Sequence, residues 1–373
     1  DFEKIGAILK DKKIVAIGDS SHGIGAYYDL KSELVMYLHE NHGFDVLMME
    51  GGFGDINLAW ADVDQLSADE LRNHTVFSNF RAKEATPLFD YLKGQSNDKN
   101  VLDYAGFDTQ MSSQYFKDKL EQILKTIDLS FADSLGIRFQ SYSKWYQAAM
   151  RNDSIDYIKQ RDIFINNAKK ASALLKNNKA DVMTMLGNDE FQFQIMLKTL
   201  EGFEQSIDLL YSERYMGVGK RDEIMAENFN WLLKTFYPDR KVIIWAHNGH
   251  VENAGLGNRG YKWMGHFLKE QYQEDYYSLG LFAYKGDSYQ HWTKQIIPFE
   301  NSDSTNVERI LLDATYSAAY LDLSSQEENS FNQWIFNEVN GFEIESNGQI
   351  TFIPKVRFDG IISLKEGNAP TFE

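Results

Sequence analysis

The strongest constraint on the fold is a strand–helix–strand pattern near the start of the chain. Lys13–Gly18 and Asp45–Glu50 are short apolar runs, which is typical of strands buried on both faces of a sheet. Between them, Ala26–Asn41 carries apolar residues at helical spacing, and Gly43 follows where a helix C-cap glycine would stand. Two strands joined by a crossover helix run parallel in one sheet. The sequence therefore predicts an α/β fold with a mostly parallel central sheet flanked by helices.

Further strands are predicted to extend this sheet and to add a hairpin near its end. An Asn-Gly pair between two apolar runs is a strong hairpin signal, and here it is Asn347-Gly348. The predicted strands are Val101–Phe107, Lys241–Ala246, Tyr276–Tyr284, Ala319–Leu323 and Gly360–Leu364, with a C-terminal β-hairpin of Phe342–Ser346 and Gln349–Pro354.

The middle of the chain is predicted to be helical. Ser154–Asn177, Asp189–Tyr211 and Lys220–Phe236 have helical periodicity, and Val182–Leu186 is a short candidate strand. We expect residues 112–236 to form a helical insertion that covers the active-site cleft. Residues 1–111 and 237–373 would then form the α/β core domain.

Composition restricts the classes of partner. The 373 residues carry a formal net charge of −17, which argues against binding to nucleic acid or to anionic membranes. The absence of cysteine excludes disulfides, thiolate metal sites and cysteine nucleophiles. No apolar run reaches the ~18 residues of a membrane span. We expect a soluble protein that acts on a small molecule. Its oligomeric state and compartment stay open, with the cytoplasm slightly favoured and a removed leader allowed.

Ionisable residues follow four of the predicted strands. Asp19 and His22 come after the first strand, Glu50 ends the second, Asp108 follows the third and His247 follows Lys241–Ala246. In open α/β sheets, ligands bind just outside the carboxyl ends of the strands. Helix capping is the alternative interpretation for each aspartate. Carboxylates beside imidazoles raise histidine basicity and fix its tautomer, so the set predicts a site for acid–base chemistry.

Two cations are candidates for the same site. Lys31 lies on the apolar stripe of the first helix, so it must be paired or must reach the crevice. The alternative interpretation is that Lys31 lies at the edge of the stripe and extends its charged end to solvent. Arg221 precedes Met225 by one helical turn and points in the same direction, with an ion pair to Asp222 as the alternative.

Ser20 and Ser21 next to His22 suggest a serine hydrolase, but two observations oppose it. The chain has no Gly-x-Ser-x-Gly segment, which presents the nucleophile in α/β-hydrolases. Neighbouring residues also seldom face each other well enough to form a Ser–His dyad. A serine nucleophile is therefore disfavoured.

At these residues the chain resembles the erythromycin esterase family, over nearly its whole length. The matching segments are Gly18-Asp19-Ser20-Ser21-His22-Gly23, the basic Lys31, His42-Gly43-Phe44, the strand closing on Glu50, Phe107-Asp108-Thr109-Gln110, Arg221-Asp222-x-x-Met225-Ala226-x-Asn228, Ala246-His247-Asn248-x-His250-Val251 and Phe358-Asp359-Gly360. The family usually has glutamate in its first motif, where this chain has Asp19, which is shorter by one methylene.

The resemblance implies hydrolysis of an ester, in the namesake members a macrolide lactone, with no metal or other cofactor. It implies that His22 activates water, that Asp19 is the neighbouring carboxylate, and that His247 and His250 are the pair of late histidines. The full assignment is catalytic for His22, Asp19, Glu50, His247, His250 and Lys31, and substrate-binding for Arg81, Asp108, Gln110 and Arg221.

Two other hypotheses use the same residues. A metal-dependent hydrolase would hold a divalent ion with His247, His250, His22, Asp19 and Glu50, which are residue types that bind such ions. A chelator would inactivate it. A family member with a degenerate site would only bind a hydrophobic or sugar-like ligand, and Asp19→Glu would then restore hydrolysis.

Overall fold

The computed structural model describes residues 2–135, 157–211, 216–255, 262–291, 293–312, 316–343 and 348–372. Ten strands are described in them: β1 (Ile14–Ile17), β2 (Phe44–Gly52), β3 (Asp103–Asp108), β4 (Lys241–Trp245), β5 (Tyr276–Gln290), β6 (Gln295–Glu300), β7 (Ala318–Asp322), β8 (Val339–Glu343), β9 (Gly348–Phe352) and β10 (Gly360–Gly367). Eight of them form one sheet in the order β3–β2–β4–β1–β5–β10–β7, with β6 beside β5.

The sheet is mostly parallel, as the crossover pattern predicted. β1 pairs in parallel with β4 and β5, β2 with β3 and β4, and β10 with β5. Only β6 and β7 are antiparallel to their neighbours in this sheet, among the strands described. The α/β class with a mostly parallel sheet is therefore confirmed.

The helices flank this sheet. They are α1 (Glu3–Leu9), α2 (Gly25–His42), α3 (Phe53–Ala61), α4 (Ala68–Thr75), α5 (Thr86–Gly94), α6 (Tyr115–Ile127), α7 (Tyr157–Asn177), α8 (Lys179–Met185), α9 (Glu190–Tyr211), α10 (Met216–Thr235), α11 (Asn248–Val251), α12 (Met264–Tyr272), α13 (Val307–Ile310) and α14 (Pro354–Arg357). No helix within the described ranges is long and apolar enough to cross a lipid bilayer.

Alternation along β1 divides the core into two layers. Ile14 and Ala16 belong to a cluster that includes residues of α6, α9 and α10, whereas Val15 and Ile17 belong to one that includes residues of α2 and α5. All four side chains are fully buried. A strand covered on both faces reads as a continuous apolar run, which is why the sequence located it correctly.

The first crossover helix is confirmed and ends as its sequence indicated. α2 spans Gly25–His42, and Gly43 follows it in the left-handed conformation with φ of 66°. The amide of Gly43 donates to the carbonyl of Leu38 and so closes the helix. Glycine takes this conformation without the steric cost of a Cβ atom.

Some predicted elements differ from the structure. Val182–Leu186 is not a strand, because residues 182–185 lie in helix α8 and Leu186 caps its end. Val182 and Leu186 are both buried at a spacing of four residues. β5 continues past Tyr284 to pair with β6, a strand that the sequence did not predict. The residues of β6 are exposed or partly buried and none is fully buried, so the strand lacks a buried apolar run.

The C-terminal hairpin is confirmed by the antiparallel pairing of β8 and β9. Its predicted turn residue Asn347 and the predicted strand end Ser346 lie outside the described residues, as does Ser154 at the start of a predicted helix. The described part of 112–236 is helical between α6 and α10. The division into a core and an insertion that covers the cleft stays a prediction.

Candidate active site

The order of the strands brings the predicted site residues to one edge of the sheet. β3, β2, β4 and β1 are consecutive neighbours, and all four run in parallel. Their carboxyl ends carry Asp108, Glu50, His247 and Asp19 respectively. Each is linked by a hydrogen bond or ion pair to a neighbouring element, so the four strand ends form one polar cluster.

Asp19 connects a histidine with a buried lysine. Asp19 Oδ1 lies 3.0 Å from His22 Nδ1, and Lys31 Nζ donates to Asp19 Oδ2 at 2.6 Å. The shorter side chain of aspartate therefore still reaches the imidazole. Lys31 is fully buried, so it does not extend to solvent. Its ammonium also donates to the Ala246 carbonyl at 3.1 Å and lies 4.5 Å from the centre of the Trp245 ring.

The neighbouring cations keep Asp19 ionised. Burial by itself raises the pKa of Asp19. Lys31 and His22 lower the pKa by more than burial raises it, so the net pKa lies well below the usual range. Burial lowers the pKa of Lys31, against the attraction of Asp19 and Glu50. The charge of Glu50 therefore acts on Lys31 as well as on its direct partners Arg221 and His250.

Glu50 is held by three donors. Arg221 Nη2 donates to Glu50 Oε1 at 3.3 Å, His250 Nε2 lies 3.2 Å from the same oxygen, and the backbone N–H of His247 donates to Oε2 at 3.0 Å. Burial raises the pKa of Glu50, but His250, His22 and Arg221 together place it well below its ordinary value. Glu50 is therefore a fixed carboxylate. The histidines that it contacts are His250 and His247, whereas Asp19 contacts His22.

Arg221 bridges the ends of β3 and β2. Its Nε donates to Asp108 Oδ1 at 3.1 Å, and its Nη2 is paired with Asp108 Oδ2 as well as with Glu50. Asp108 also accepts from the backbone N–H of Gln110 at 3.0 Å. Burial lowers the pKa of Arg221, but Asp108 and Glu50 outweigh it and raise the pKa above its ordinary value. The alternative pairing of Arg221 with Asp222 is therefore replaced by pairing with Asp108.

Asp222 instead contacts a histidine, and sequence reasoning did not assign it to the site. His250 Nδ1 lies 2.6 Å from Asp222 Oδ1, which also accepts from the Met264 N–H at 2.9 Å. Burial lowers the pKa of His250, but Asp222 and Glu50 raise it to about 10. The position of Asp222 inside the Arg221-Asp222 segment was the one signal in the sequence that could have found it.

The tautomer of His247 follows from its place at the start of α11. His247 is the N-cap of this helix, and its Nδ1 accepts from the Gly249 N–H at 3.1 Å. An accepting Nδ1 carries no proton, so the neutral ring carries its proton on Nε2. Nε2 is buried and has no hydrogen-bond acceptor among the described residues. The His247 ring lies 5.2 Å from the His22 ring, so this donor is beside the first motif.

A close backbone approach aligns the two histidine segments. A Cβ atom on Gly18 would lie 2.2 Å from Asn248 Oδ1. The Asn248 side chain bonds both the N–H and the carbonyl of Leu281, and its backbone N–H donates to the Asp19 carbonyl at 2.7 Å. Asn248 therefore joins the segments that follow β1 and β4 to strand β5.

The two serines of the first motif have other partners. The Ser20 hydroxyl lies 2.9 Å from the Tyr27 hydroxyl, and the Ser21 hydroxyl lies 3.2 Å from that of Ser288. Ser21 also accepts from the Gly23 N–H at 3.0 Å. These contacts fix the loop after β1 and give no support to a serine nucleophile.

Arg81 lies next to this edge but outside the ionic cluster. Its neighbour Phe80 packs on His22, with 4.4 Å between the ring centres. Arg81 is half-buried, and its Nε donates to the Val76 carbonyl at 3.2 Å. Sequence reasoning did not assign Phe80 to the site, because a phenylalanine cannot take part in acid–base chemistry and usually serves only to fill the core.

The arrangement of ligands and charges in the cluster bears on whether it could hold a metal ion. Within the part of the chain that is described, no three His, Asp or Glu side chains are placed to hold one ion. Glu50 and Asp19 are paired with the cations Arg221 and Lys31. A divalent ion bound by these two carboxylates would therefore lie close to two positive charges, which would repel it.

The fold and the cluster define an α/β protein with acid–base groups at the carboxyl edge of a parallel sheet. The sequence model of the family described as erythromycin esterase matches residues 39–367, and the chain therefore belongs to the erythromycin esterase family. Family membership supports an esterase-like hydrolase. His22 and Lys31 precede the matched segment.

Two curated relatives are similar in sequence. A putative hydrolase, YbfO of Bacillus subtilis (strain 168), is 25% identical over 397 residues, which cover 98% of this chain and 86% of the relative. An erythromycin esterase type II of Escherichia coli is 22% identical over 311 residues, which cover 77% of this chain and 72% of the relative.

Two solved structures share the fold. A succinoglycan biosynthesis protein matches with a TM-score of 0.77 at 18% identity, covering all of this chain and 92% of that one. A mutant of the erythromycin esterase EreC in its open conformation matches with a TM-score of 0.68 at 16% identity, covering all of this chain and 95% of that one.

Proposed function

We propose that this chain hydrolyses a carboxylic ester or lactone with His22 as the general base. The observation that carries the proposal is the buried chain of contacts from Lys31 through Asp19 to His22. An ionised carboxylate at Nδ1 of an imidazole holds the proton there and leaves Nε2 as the basic nitrogen. The carboxylate also stabilises the imidazolium that forms when His22 takes a proton from water.

The water then attacks the carbonyl carbon, and negative charge develops on the carbonyl oxygen. His247 offers a buried Nε2–H that has no acceptor among the described residues, beside the His22 ring. A donor already oriented toward the developing charge stabilises it without reorganisation. Glu50 would hold His247 in place through its backbone N–H.

The substrate class rests on different support. The relative from Escherichia coli is called an erythromycin esterase, so a macrolide lactone is the first candidate substrate. We assign substrate contacts to Arg81, which follows Phe80 in the chain, and to Gln110, whose N–H donates to Asp108. Arg221 and Asp108 form a charged pair that would border the bound ester.

The proposal is tested by mass spectrometry of the purified protein incubated with a panel of macrolides and simple esters. Wild type is compared with His22→Ala and with His74→Ala, a histidine outside the cluster. We expect a product heavier by one water from wild type and His74→Ala. Loss of a general base lowers the rate by about 100-fold or more, so His22→Ala should give almost none.

Two results would contradict the proposal. A folded His22→Ala protein that hydrolyses its substrate at the wild-type rate would show that His22 is not the base. Inactivation by a chelator, with recovery on adding a divalent metal, would instead identify the metal-dependent hydrolase. Circular dichroism of each variant establishes that it is folded.

A further inference from the structure

Asp222 and His250 form a second carboxylate–imidazole pair at this edge of the sheet, besides Asp19 and His22. The charges of both His250 and His22 lower the pKa of Glu50. His250 Nδ1 lies 2.6 Å from Asp222, and His250 Nε2 lies 3.2 Å from Glu50. The His22 and His250 side chains are 9% and 10% exposed, so both are buried to a similar degree.

We propose that Asp222 is a positioning residue that keeps His250 as an imidazolium, and that this imidazolium protonates the leaving alcohol. This inference rests on the proposed ester hydrolysis. It assigns the two histidines opposite tasks, with His22 removing a proton from water and His250 delivering one to the alkoxide.

The geometry favours the charged form of His250. Each ring nitrogen faces a carboxylate oxygen, and a ring can donate to both only when both nitrogens carry protons. Asp222 is fully buried and its Oδ1 also accepts from the Met264 N–H, so the carboxylate cannot turn away. The pKa of His250, about 10, agrees with this arrangement.

The charged groups that contact His250 lie on β2 and α10, among the described residues. Glu50 on β2 and Asp222 on α10 favour the imidazolium. Arg221 opposes it, because its Nη1 lies 3.3 Å from His250 Nε2 and can only donate, which favours an Nε2 without a proton. The Trp263 ring, 5.9 Å away, is neutral. Two carboxylates against one guanidinium leave the balance with the charged ring.

The proton balance of the step is complete. The bond between the carbonyl carbon and the alcohol oxygen breaks, the electron pair goes to oxygen, and the Nε2 proton of His250 moves to it. His22 holds the proton it took from water, so one proton exchanged with solvent returns both rings to their starting states. An imidazolium is a much stronger acid than an alcohol, which favours this transfer.

The ionisation is tested by NMR of the histidine side chains, with imidazole nitrogens labelled. We expect His250 to keep both ring protons well above neutral pH in wild type. In Asp222→Asn its titration should move to lower pH, and Asp222→Glu should recover part of the difference. Asp239→Asn, at an exposed aspartate, is the control. A neutral His250 at neutral pH in wild type would overturn the inference.

The proton transfer is tested with two esters that share an acyl group, ethyl acetate and p-nitrophenyl acetate. Nitrophenolate leaves without protonation, whereas ethoxide needs a proton. We expect His250→Gln to lower the rate with ethyl acetate by about 100-fold or more and the rate with p-nitrophenyl acetate by only a few-fold. Equal losses with both esters would show that His250 is not the proton donor.

These measurements separate the two proposals. If His22→Ala hydrolyses both esters at the wild-type rate, the general base is wrong, whatever His250 does. If wild type hydrolyses neither ester and no member of the macrolide panel, the proton-donor step is overturned with the proposed function. The NMR titration tests the imidazolium state in either case, because it does not depend on turnover.

Discussion

Lys31 Nζ lies 2.6 Å from Asp19 Oδ2, and both side chains are buried at the carboxyl edge of the sheet. This contact joins the first turn after β1 to the middle of α2. Asp19 also contacts His22. The buried ammonium of Lys31 therefore helps to keep Asp19 ionised and in place beside the proposed base.

Lys31→Met is expected to destabilise the protein by about 3–5 kcal/mol, because removing one partner of a buried ion pair leaves the other charge uncompensated. The pKa of Asp19 should rise accordingly. Urea unfolding measures the change. Lys125→Met removes an exposed pair with Glu121 and should cost less than about 1 kcal/mol. A Lys31→Met protein as stable as wild type would contradict this account.

Glu308 predicts a dependence of stability on pH. It is fully buried, its Oε1 accepts from the Phe342 N–H, and Oε2 has no partner among the described residues. Burial raises the pKa of Glu308 from 4.5 to about 7. A folded-state pKa above the unfolded value means that stability is complete below about 4.5 and is lost as pH rises through about 7.

Glu308→Gln keeps the acceptor for Phe342 but cannot ionise. We therefore expect this variant to lose less stability than wild type between mildly acidic and neutral pH, by up to about 3 kcal/mol. Urea unfolding at several pH values across this window measures the slope. Glu328→Gln, at an exposed glutamate, should leave the slope unchanged. The idea fails if the slopes of Glu308→Gln and wild type are the same.

Gly18→Ala tests the close approach between the two histidine segments. The added Cβ would lie 2.2 Å from Asn248 Oδ1 and 2.9 Å from its Cα, and the Asn248 side chain is held by Leu281. Overpacking of this kind costs about 1–3 kcal/mol, and displacement of Asp19 should also lower activity.

Gly94→Ala is the matched control, because an added Cβ there has no neighbour within 4 Å. Thermal unfolding and ester hydrolysis should both distinguish the two variants, with Gly94→Ala close to wild type. Similar losses for both alanines would show that the approach of Gly18 to Asn248 is not what limits this position.

Much of the fold could be predicted because its signals are local. The buried run Ile14–Ile17 and the stripe of α2 each report their surroundings within a few residues. The parallel direction of β1 and β2 follows from the crossover helix, whereas the position of β4 between them was not predicted. The exposed strand β6 and the helix α8 were not predicted correctly, because their local patterns are weak or ambiguous and tertiary packing decides them.

For the site, the sequence determined which residue types stand at the ends of the strands, since a strand's last residue is set by where its apolar run stops. Only the tertiary structure decided their partners. Arg221 pairs with Asp108 and not Asp222, which holds His250 instead. Such pairings depend on the order β3–β2–β4–β1 and on how α10 packs against it, and both come from contacts between residues far apart in the chain.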